Sequence, residues 1–212
     1  ENLYVYGRYF GLSRKFLKAK VEELLEFAQL QEKRNNKAEE LSGGMQRRLA
    51  IARGLVNEPE ILMLDEPTTG LDPQARHILW DRLFRLKEQG VTLVITTHYM
   101  DEAEQLCDRL VVMDKGKIMA EGSPQELIKK YSSKEVVEVR FGTDKNEQAA
   151  KLLENKGDRI EVLPDRILIY TTHGEQLLSE IVEAGMNPIT SLVRRSSLED
   201  VFLRLTGRTL ID

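Results

Sequence analysis

The chain has 212 residues, of which 41% are hydrophobic and 31% charged, and its formal net charge is -4. That length suffices for one large or two small domains with a packed core. The acidic balance argues against a nucleic-acid-binding protein, which usually presents a basic surface. Cys107 is the only cysteine in the sequence, so an internal disulfide is excluded and a reducing compartment is expected.

The first 58 residues are predicted to be helical. Helices are expected over residues 1–10 and 13–30, with a break at Gly11, and a polar surface loop follows over 31–40. A third helix begins after Ser42, which is a favourable N-cap residue. Gly43 and Gly44 leave the first free N–H groups of this helix unobstructed, and such a helix start attracts anions. A capped helix after a glycine turn, with no ligand, is an equally good interpretation of this stretch alone.

An apolar run over residues 61–64 predicts a strand that is buried on both faces, as in a parallel sheet. The run ends at Asp65 and Glu66, and Pro67 stops it. Ligands of open α/β sheets bind beyond the carboxyl ends of the strands. Two carboxylates at that position suit a hydrated Mg²⁺ and a water molecule that is to be activated.

A second apolar strand is predicted over residues 91–95, and it ends in Thr96, Thr97 and His98. Between the strands, a turn over 68–73 leads into a helix that has Pro73 in its first turn and ends near Gln89. A single histidine is more often structural than catalytic. This one is expected at the same sheet edge as the two acids, which makes it a candidate catalytic residue.

The second half of the chain shows shorter elements. Residues 99–107 predict a helix, 109–113 and 117–120 a hairpin around Gly116, and 123–131 a short helix. From about residue 132 the order is strand, helix, strand, strand, helix, strand, followed by a last helix. That order is typical of a ferredoxin-like α+β domain.

Four motifs in sequence order resemble those of ATP-binding cassette (ABC) ATPases. Residues 41–46 match the signature, 61–66 the Walker B motif, 70–72 the D-loop and His98 the switch histidine. The stretches LSGGMQRRL, LDEPTTGLDP and TTHYMDEAE most resemble ATPase subunits of drug-resistance and nodulation-factor exporters. The match extends to about residue 131.

The resemblance implies an α/β fold class with two parts. Residues 1–131 would form a partial P-loop NTPase core, with a helical signature subdomain over 1–58 and the remainder of the catalytic core over 59–131. Residues 132–212 would form the C-terminal ferredoxin-like accessory domain.

In that family two cassettes close head to tail around ATP, and this implies nucleotide-binding roles. Ser42, Gly43 and Gly44 would contact the γ-phosphate of ATP held by the partner cassette. Gln46 would help at the ribose.

The resemblance also implies roles in the reaction. Asp65 would hold Mg²⁺ through water, Glu66 would polarise the attacking water, and His98 would contact the γ-phosphate. Asp72 would communicate across the dimer. Phosphoryl transfer depends mainly on positioning and charge neutralisation, which such residues supply.

One motif of the family is missing from the sequence. A P-loop requires Gly-x-x-x-x-Gly-Lys-Ser/Thr, whereas the only Gly-Lys pair, Gly116-Lys117, is followed by Ile118 and has Val111 where the first glycine belongs. The chain is therefore expected to be a fragment whose P-loop segment would precede Glu1, and to be inactive alone. The segment is also expected to cover one side of the sheet.

The expected function is that of an ATP-binding and ATP-hydrolysing subunit of an ABC-type efflux transporter, with ATP and Mg²⁺ as cofactors. Its partners would be a second ATPase subunit, in a homodimer, and a membrane permease subunit, at the cytoplasmic face of the membrane. The alternative is a non-catalytic regulatory module that lends its signature to a complete cassette. A chromosome-maintenance ATPase is disfavoured because the sequence has no sustained heptads.

Overall fold

The computed structural model describes residues 1–142 and 146–207. The chain divides into a compact unit of residues Glu1–His98 and a second one that begins at Tyr99. The sequence-based division at residues 131 and 132 stays a prediction. None of the described helices combines the length and the apolar composition needed to cross a bilayer.

Apart from two short 3₁₀ helices, Gln31–Lys33 and Ala38–Glu40, the first unit contains four α-helices and two strands among its described elements. They are α1 (Asn2–Tyr9), α2 (Arg14–Phe27), α3 (Gly43–Gly54), β1 (Ile61–Asp65), α4 (Pro73–Glu88) and β2 (Thr92–Thr96). Gly11 separates α1 from α2 with a φ of 72°, a conformation that glycine adopts at little cost. Ser13 then caps α2 by accepting a hydrogen bond from the Phe16 N–H at 3.2 Å.

The two strands pair in parallel, with Asp65 opposite Thr96. Both strands therefore end at the same edge of the sheet, as the sequence predicts.

The prediction that β1 is buried on both faces is wrong for the described residues. Leu62 and Leu64 are buried, but Ile61 and Met63 are 61% and 77% exposed, and Val94 on β2 is 45% exposed. Helix α3 lies against the buried face, since a Cβ added to Gly54 would lie 3.0 Å from Leu62 Cδ1. An apolar run shows that a strand favours burial, but it does not show how many faces are covered.

The second unit combines a hairpin, a four-stranded sheet and five helices among its described elements. They are α5 (Met100–Leu106), β3 (Leu110–Asp114), β4 (Lys117–Gly122), α6 (Pro124–Tyr131), β5 (Glu135–Arg140), α7 (Asn146–Leu153), β6 (Arg159–Val162), β7 (Ile167–Thr171), α8 (Gly174–Glu183), β8 (Thr190–Arg195) and α9 (Leu198–Thr206). Lys115 and Gly116 both have positive φ, 47° and 73°, as a tight hairpin turn between β3 and β4 requires.

The larger sheet has the strand order β6-β7-β5-β8, and all its pairs are antiparallel. With the helices α7 and α8 between the strands in sequence, this is the ferredoxin-like arrangement that the sequence predicts. One core cluster joins the sheet to α7 and α8 and contains Val137, Val139, Ala149, Leu153, Ile167, Ile169, Leu177 and Ile181.

Helix α9 packs against α5 and α6. Its Leu198 and Val201 form a core cluster with Leu127 of α6 and with Val112 and Ala120 of the hairpin. The last helix of the ferredoxin-like segment thus shares a core with elements that precede that segment.

Candidate nucleotide and catalytic site

The carboxyl ends of β1 and β2 hold the predicted acids in a fixed arrangement. The Thr96 hydroxyl donates a hydrogen bond to Oδ1 of Asp65. The Glu66 N–H donates to the Thr96 carbonyl oxygen at 2.8 Å, which extends the strand pairing by one residue. Both acids are therefore fixed relative to the end of β2.

Glu66 has a left-handed backbone conformation, with a φ of 46°. For a residue with a Cβ this conformation costs about 1–2 kcal/mol, so the surrounding contacts must maintain it. The turn that follows supplies one of them, because the Thr69 hydroxyl donates to Glu66 Oε2 at 3.1 Å. The carboxylate is thereby directed along the edge of the sheet.

His98 lies next to this carboxylate, with Nδ1 at 3.1 Å from Glu66 Oε1. The side chains of His98 and Glu66 remain 55% and 43% exposed, so water and a substrate reach both. A carboxylate oxygen with one partner retains a lone pair that can accept a hydrogen bond from water. This geometry suits a carboxylate that polarises water beside an imidazole that contacts a substrate oxygen. The structure brings the two residues together, and their catalytic roles stay predictions.

The signature stretch forms the N-terminus of α3. Ser42 caps the helix, since its Oγ accepts a hydrogen bond from the Met45 N–H at 3.4 Å. A Cβ added to Gly43 would meet nothing within 4 Å, whereas one added to Gly44 would lie 2.9 Å from Leu71 Cδ2. Gly43 thus leaves an open approach to the free N–H groups of the helix, and Gly44 permits close packing against the turn after β1.

Gln46 supports the loop that precedes α3. Its side-chain nitrogen donates to the carbonyl oxygens of Ala38 and Leu41, at 3.2 and 3.0 Å. The implied contact with a ribose would have to use the amide oxygen or release these carbonyls. That contact stays a prediction.

Asp72 begins α4 as its N-cap, and its Oδ1 accepts a hydrogen bond from the Ala75 N–H at 2.9 Å. Gly70, with a φ of 77°, turns the chain just before it. This gives Asp72 a local structural role. The communication across a dimer that the resemblance implies stays a prediction.

Four hydrogen bonds at the site involve three residues to which the sequence assigned no role. The guanidinium of Arg47 donates to the main-chain carbonyl oxygens of Asp65 and Glu66, and Thr96 and Thr69 hold the two carboxylates. The threonines could have been noted, since one ends β2 and the other lies three residues after Glu66. Arg47 gives no such signal, because its contact depends on how α3 packs against the end of β1.

Among the described residues, no group of three or more His, Cys, Asp or Glu side chains is placed to hold a metal ion. Mg²⁺ in nucleotide sites usually takes one or two carboxylates and completes its shell with water and phosphate oxygens. The Asp65 carboxylate at the strand end fits such a partial site. A closed site made only of protein ligands does not fit.

Two stretches match known protein families. Residues 10–69 match the family described as ABC transporter, and residues 145–207 match the C-terminal domain of nodulation factor export protein NodI.

Three relatives that match nearly the whole chain carry the name Nod factor export ATP-binding protein I. The protein of Rhizobium sp. (strain N33) is 48% identical over 210 residues, covering 99% of this chain and 68% of its own length. The Burkholderia lata protein is 48% identical over 212 residues, with 100% and 68% covered. The Mesorhizobium japonicum protein is 46% identical over 210 residues, with 99% and 61% covered. The chain thus spans 61–68% of the length of these relatives.

Solved structures show the same relationship. The ATP-binding subunit of an ABC transporter superposes with a TM-score of 0.54 and 28% identity, over 61% of this chain and 55% of that one. A nucleotide-free ATP-binding cassette from an ABC transporter gives a TM-score of 0.50 and 34% identity, over 56% and 46%. The fold therefore has counterparts among ABC cassettes, and residues 145–207 match the C-terminal domain of an export protein.

Proposed function

This chain belongs to the ATP-binding subunits of ABC-type exporters, and we propose that Glu66 is the carboxylate with which such a subunit hydrolyses ATP. One observation carries the proposal: Glu66 Oε1 lies 3.1 Å from His98 Nδ1, at the end of the parallel strands. The Thr69 contact at Oε2 directs the same carboxylate toward the solvent-accessible edge.

The residues at this edge of the sheet have different roles in phosphoryl transfer. Glu66 polarises the attacking water, and His98 contacts the γ-phosphate. Asp65, oriented by Thr96, would hold Mg²⁺ through water, and Mg²⁺ would supply charge neutralisation at the phosphates. The chain thus contributes orientation and charge placement, which is most of what this reaction requires.

The start of α3 serves the nucleotide of a second subunit. Ser42, Gly43 and Gly44 contact its γ-phosphate and Gln46 contacts its ribose, while Asp72 communicates between the subunits of a homodimer. Support comes from the open space around Gly43 and from the attraction of a helix N-terminus for anions.

The partner in transport is a membrane permease subunit, and the ATPase lies at the cytoplasmic face of the membrane, peripherally bound. The names of the relatives, which are export ATP-binding proteins, support this assignment. The accessory domain that the sequence places at residues 132–212 stays a proposal, which the ferredoxin-like strand order of its sheet supports and the packing of α9 on α5 and α6 opposes.

The proposal is tested with Glu66→Gln, which keeps the shape of the side chain and removes its charge. The complete exporter is assayed, because the 212 residues contain no P-loop motif. Turnover is expected to fall by about 10²–10⁴, the scale of a general base, with nucleotide binding retained. Glu60→Gln is the matched control, since Glu60 is an exposed acid just before the other end of β1. Near-normal turnover in the Glu66 variant would contradict the proposal.

A further inference from the structure

Arg47 connects the signature helix to the catalytic strand end. It lies in α3, five positions after Ser42, and one nitrogen of its guanidinium donates to the carbonyl oxygens of both Asp65 and Glu66. Hydrogen bonds from a charged donor are stronger than those between neutral groups. One side chain of α3 therefore contacts the main chain of both acids.

The two carbonyls lie where the backbone conformation decides the direction of the acids. The Glu66 N–H, which belongs to the peptide group between Asp65 and Glu66, donates a hydrogen bond to the Thr96 carbonyl oxygen at 2.8 Å. The carbonyl oxygens of Asp65 and Glu66 both accept hydrogen bonds from Arg47. These bonds surround the left-handed φ of 46° at Glu66, a conformation that persists only where neighbouring groups hold it.

We propose that Arg47 is a positioning residue that aims the Glu66 carboxylate and couples it to the signature loop. The inference rests on the proposed function of Glu66. Because Arg47 is carried by the helix whose N-terminus takes the nucleotide of the second subunit, seating of that nucleotide sets the position of the guanidinium. The same subunit's own catalytic carboxylate is then held in its productive direction.

An arginine suits this role better than a lysine would. The two carbonyls belong to successive residues, and the planar guanidinium with its fixed donors can hold both in one orientation, whereas a lysine ammonium is a mobile point charge. The carbonyls are at most partly buried, so water can replace the lost donor. Removal of Arg47 should therefore disturb the direction of Glu66 more than the stability of the fold.

The test compares Arg47→Ala and Arg47→Lys with the control Arg53→Ala. Arg53 lies on the same helix, but its guanidinium packs over the Tyr6 ring at 4.3 Å. In the complete exporter, Arg47→Ala should lower kcat by about 10- to 100-fold, the scale of a misplaced catalytic group, with KM for ATP nearly unchanged. Arg47→Lys should recover only part of the loss, and Arg53→Ala should match the wild type.

A second readout needs no catalysis. Hydrogen exchange of the chain itself should show faster exchange at the amides of Glu66 and Thr69 in Arg47→Ala, with the amides of α4 unchanged. A uniform increase over the chain would show a loss of overall stability and would overturn the inference.

The failure of this inference is distinguishable from that of the proposed function. If Arg47→Ala keeps the wild-type kcat while Glu66→Gln loses turnover, Arg47 has no positioning role and the proposed function stands. If Glu66→Gln also turns over normally, the proposed function fails, and the role of Arg47 fails with it.

Discussion

At the scale of single residues, the two signature glycines have different surroundings. The position of Gly43 is open, whereas a Cβ at Gly44 would lie 2.9 Å from Cδ2 of Leu71, a side chain only 9% exposed. Leu71 belongs to the turn that leads to Asp72. Gly43 therefore leaves the helix N-terminus accessible, and Gly44 allows Leu71 to pack closely against the helix.

A pair of alanine substitutions separates these two roles. Gly44→Ala should lower the free energy of unfolding by about 1–3 kcal/mol, the usual cost of overpacking. Gly43→Ala should cost nothing in stability, because alanine favours a helix more than glycine does. Urea denaturation of the two variants measures the difference. Equal stabilities would show that the contact with Leu71 does not constrain position 44.

The residue scale also shows where sequence reasoning succeeds and where it stops. The nearness of Glu66 and His98 could be predicted, because both follow parallel strands and such strands end at one edge. The left-handed backbone of Glu66 and the role of Arg47 could not be predicted. The contact of Arg47 depends wholly, and the backbone of Glu66 in part, on hydrogen bonds between residues 18 or more positions apart in the sequence.

At the scale of elements, α9 is fixed to the larger sheet by a buried carboxylate. Asp200 is 2% exposed. It accepts hydrogen bonds from Arg194 at 2.7 and 3.0 Å, from the Tyr170 hydroxyl at 3.0 Å and from the Ser197 N–H at 2.8 Å. Burial raises the pKa of Tyr170, and the carboxylates of Asp200 and Glu161 add to the effect. The tyrosine therefore stays a neutral donor.

Loss of Asp200 should destabilise the second unit. Asp200→Ala leaves Arg194 and Tyr170 without their shared acceptor, and we expect a loss of about 3 kcal/mol in the free energy of unfolding. This is the lower end for a broken buried pair, because Arg194 also donates to Glu138 at 2.7 Å. Glu199→Ala, an exposed acid on the same helix, is the control and should change stability by less than about 0.5 kcal/mol.

The same carboxylate predicts a dependence of stability on pH. Burial alone would raise the pKa of Asp200, but hydrogen bonds from Arg194 and the Ser197 N–H outweigh it and hold the pKa below its ordinary value. This contribution is therefore complete above the unfolded pKa of about 3.9 and is lost as the pH falls through the lower, folded value. Denaturation is measured from about pH 6 down to about pH 2.5. As the pH falls, the free energy of unfolding should decrease less in Asp200→Asn than in the wild type. Parallel profiles would contradict this.

The order of elements could be predicted well, since hydrophobic alternation and turn residues are local signals. The strands β6, β7 and β8 follow stretches that contain Gly157, Pro164-Asp165 and Gly185, and in β5 the alternating Val137 and Val139 mark the face that packs on α7 and α8. The exposed face of β1 is compatible with the expectation that a further segment covers one side of the sheet, and that expectation stays a prediction. No local pattern in the sequence predicts that α9 packs on α5 and α6.

At the scale of the whole molecule, two boundaries for the second part of the chain can be compared. The sequence places the accessory domain at residues 132–212, whereas the compact unit begins at Tyr99. The core formed by Leu198 and Val201 with Leu127 crosses the first boundary. Hydrogen bonds cross it as well, from the Leu198 N–H to Glu104 at 3.0 Å and from Arg204 to the Tyr131 carbonyl at 2.6 Å.

Two fragments distinguish the boundaries. The fragment from Tyr99 to Asp212 should unfold cooperatively, and it should be more stable than the fragment from Ser132 by at least about 3 kcal/mol. We expect this difference in stability because only the longer fragment can bury Leu198 and Val201 against Leu127, Val112 and Ala120, at about 1.5 kcal/mol for each of the two residues. Thermal unfolding followed by circular dichroism measures it. Equal midpoints would favour the boundary at residue 132 and an independent accessory domain.

Whether Glu66 drives hydrolysis is tested most directly by the chemical state of the nucleotide that the exporter holds. The complete exporter carrying Glu66→Gln is mixed with radiolabelled Mg-ATP, quenched after a time that allows several wild-type turnovers, and its bound nucleotide is separated. We expect the variant to hold ATP almost entirely, and the wild type and Glu60→Gln to have formed ADP. Formation of ADP by the Glu66 variant at the wild-type rate would contradict the role of this carboxylate.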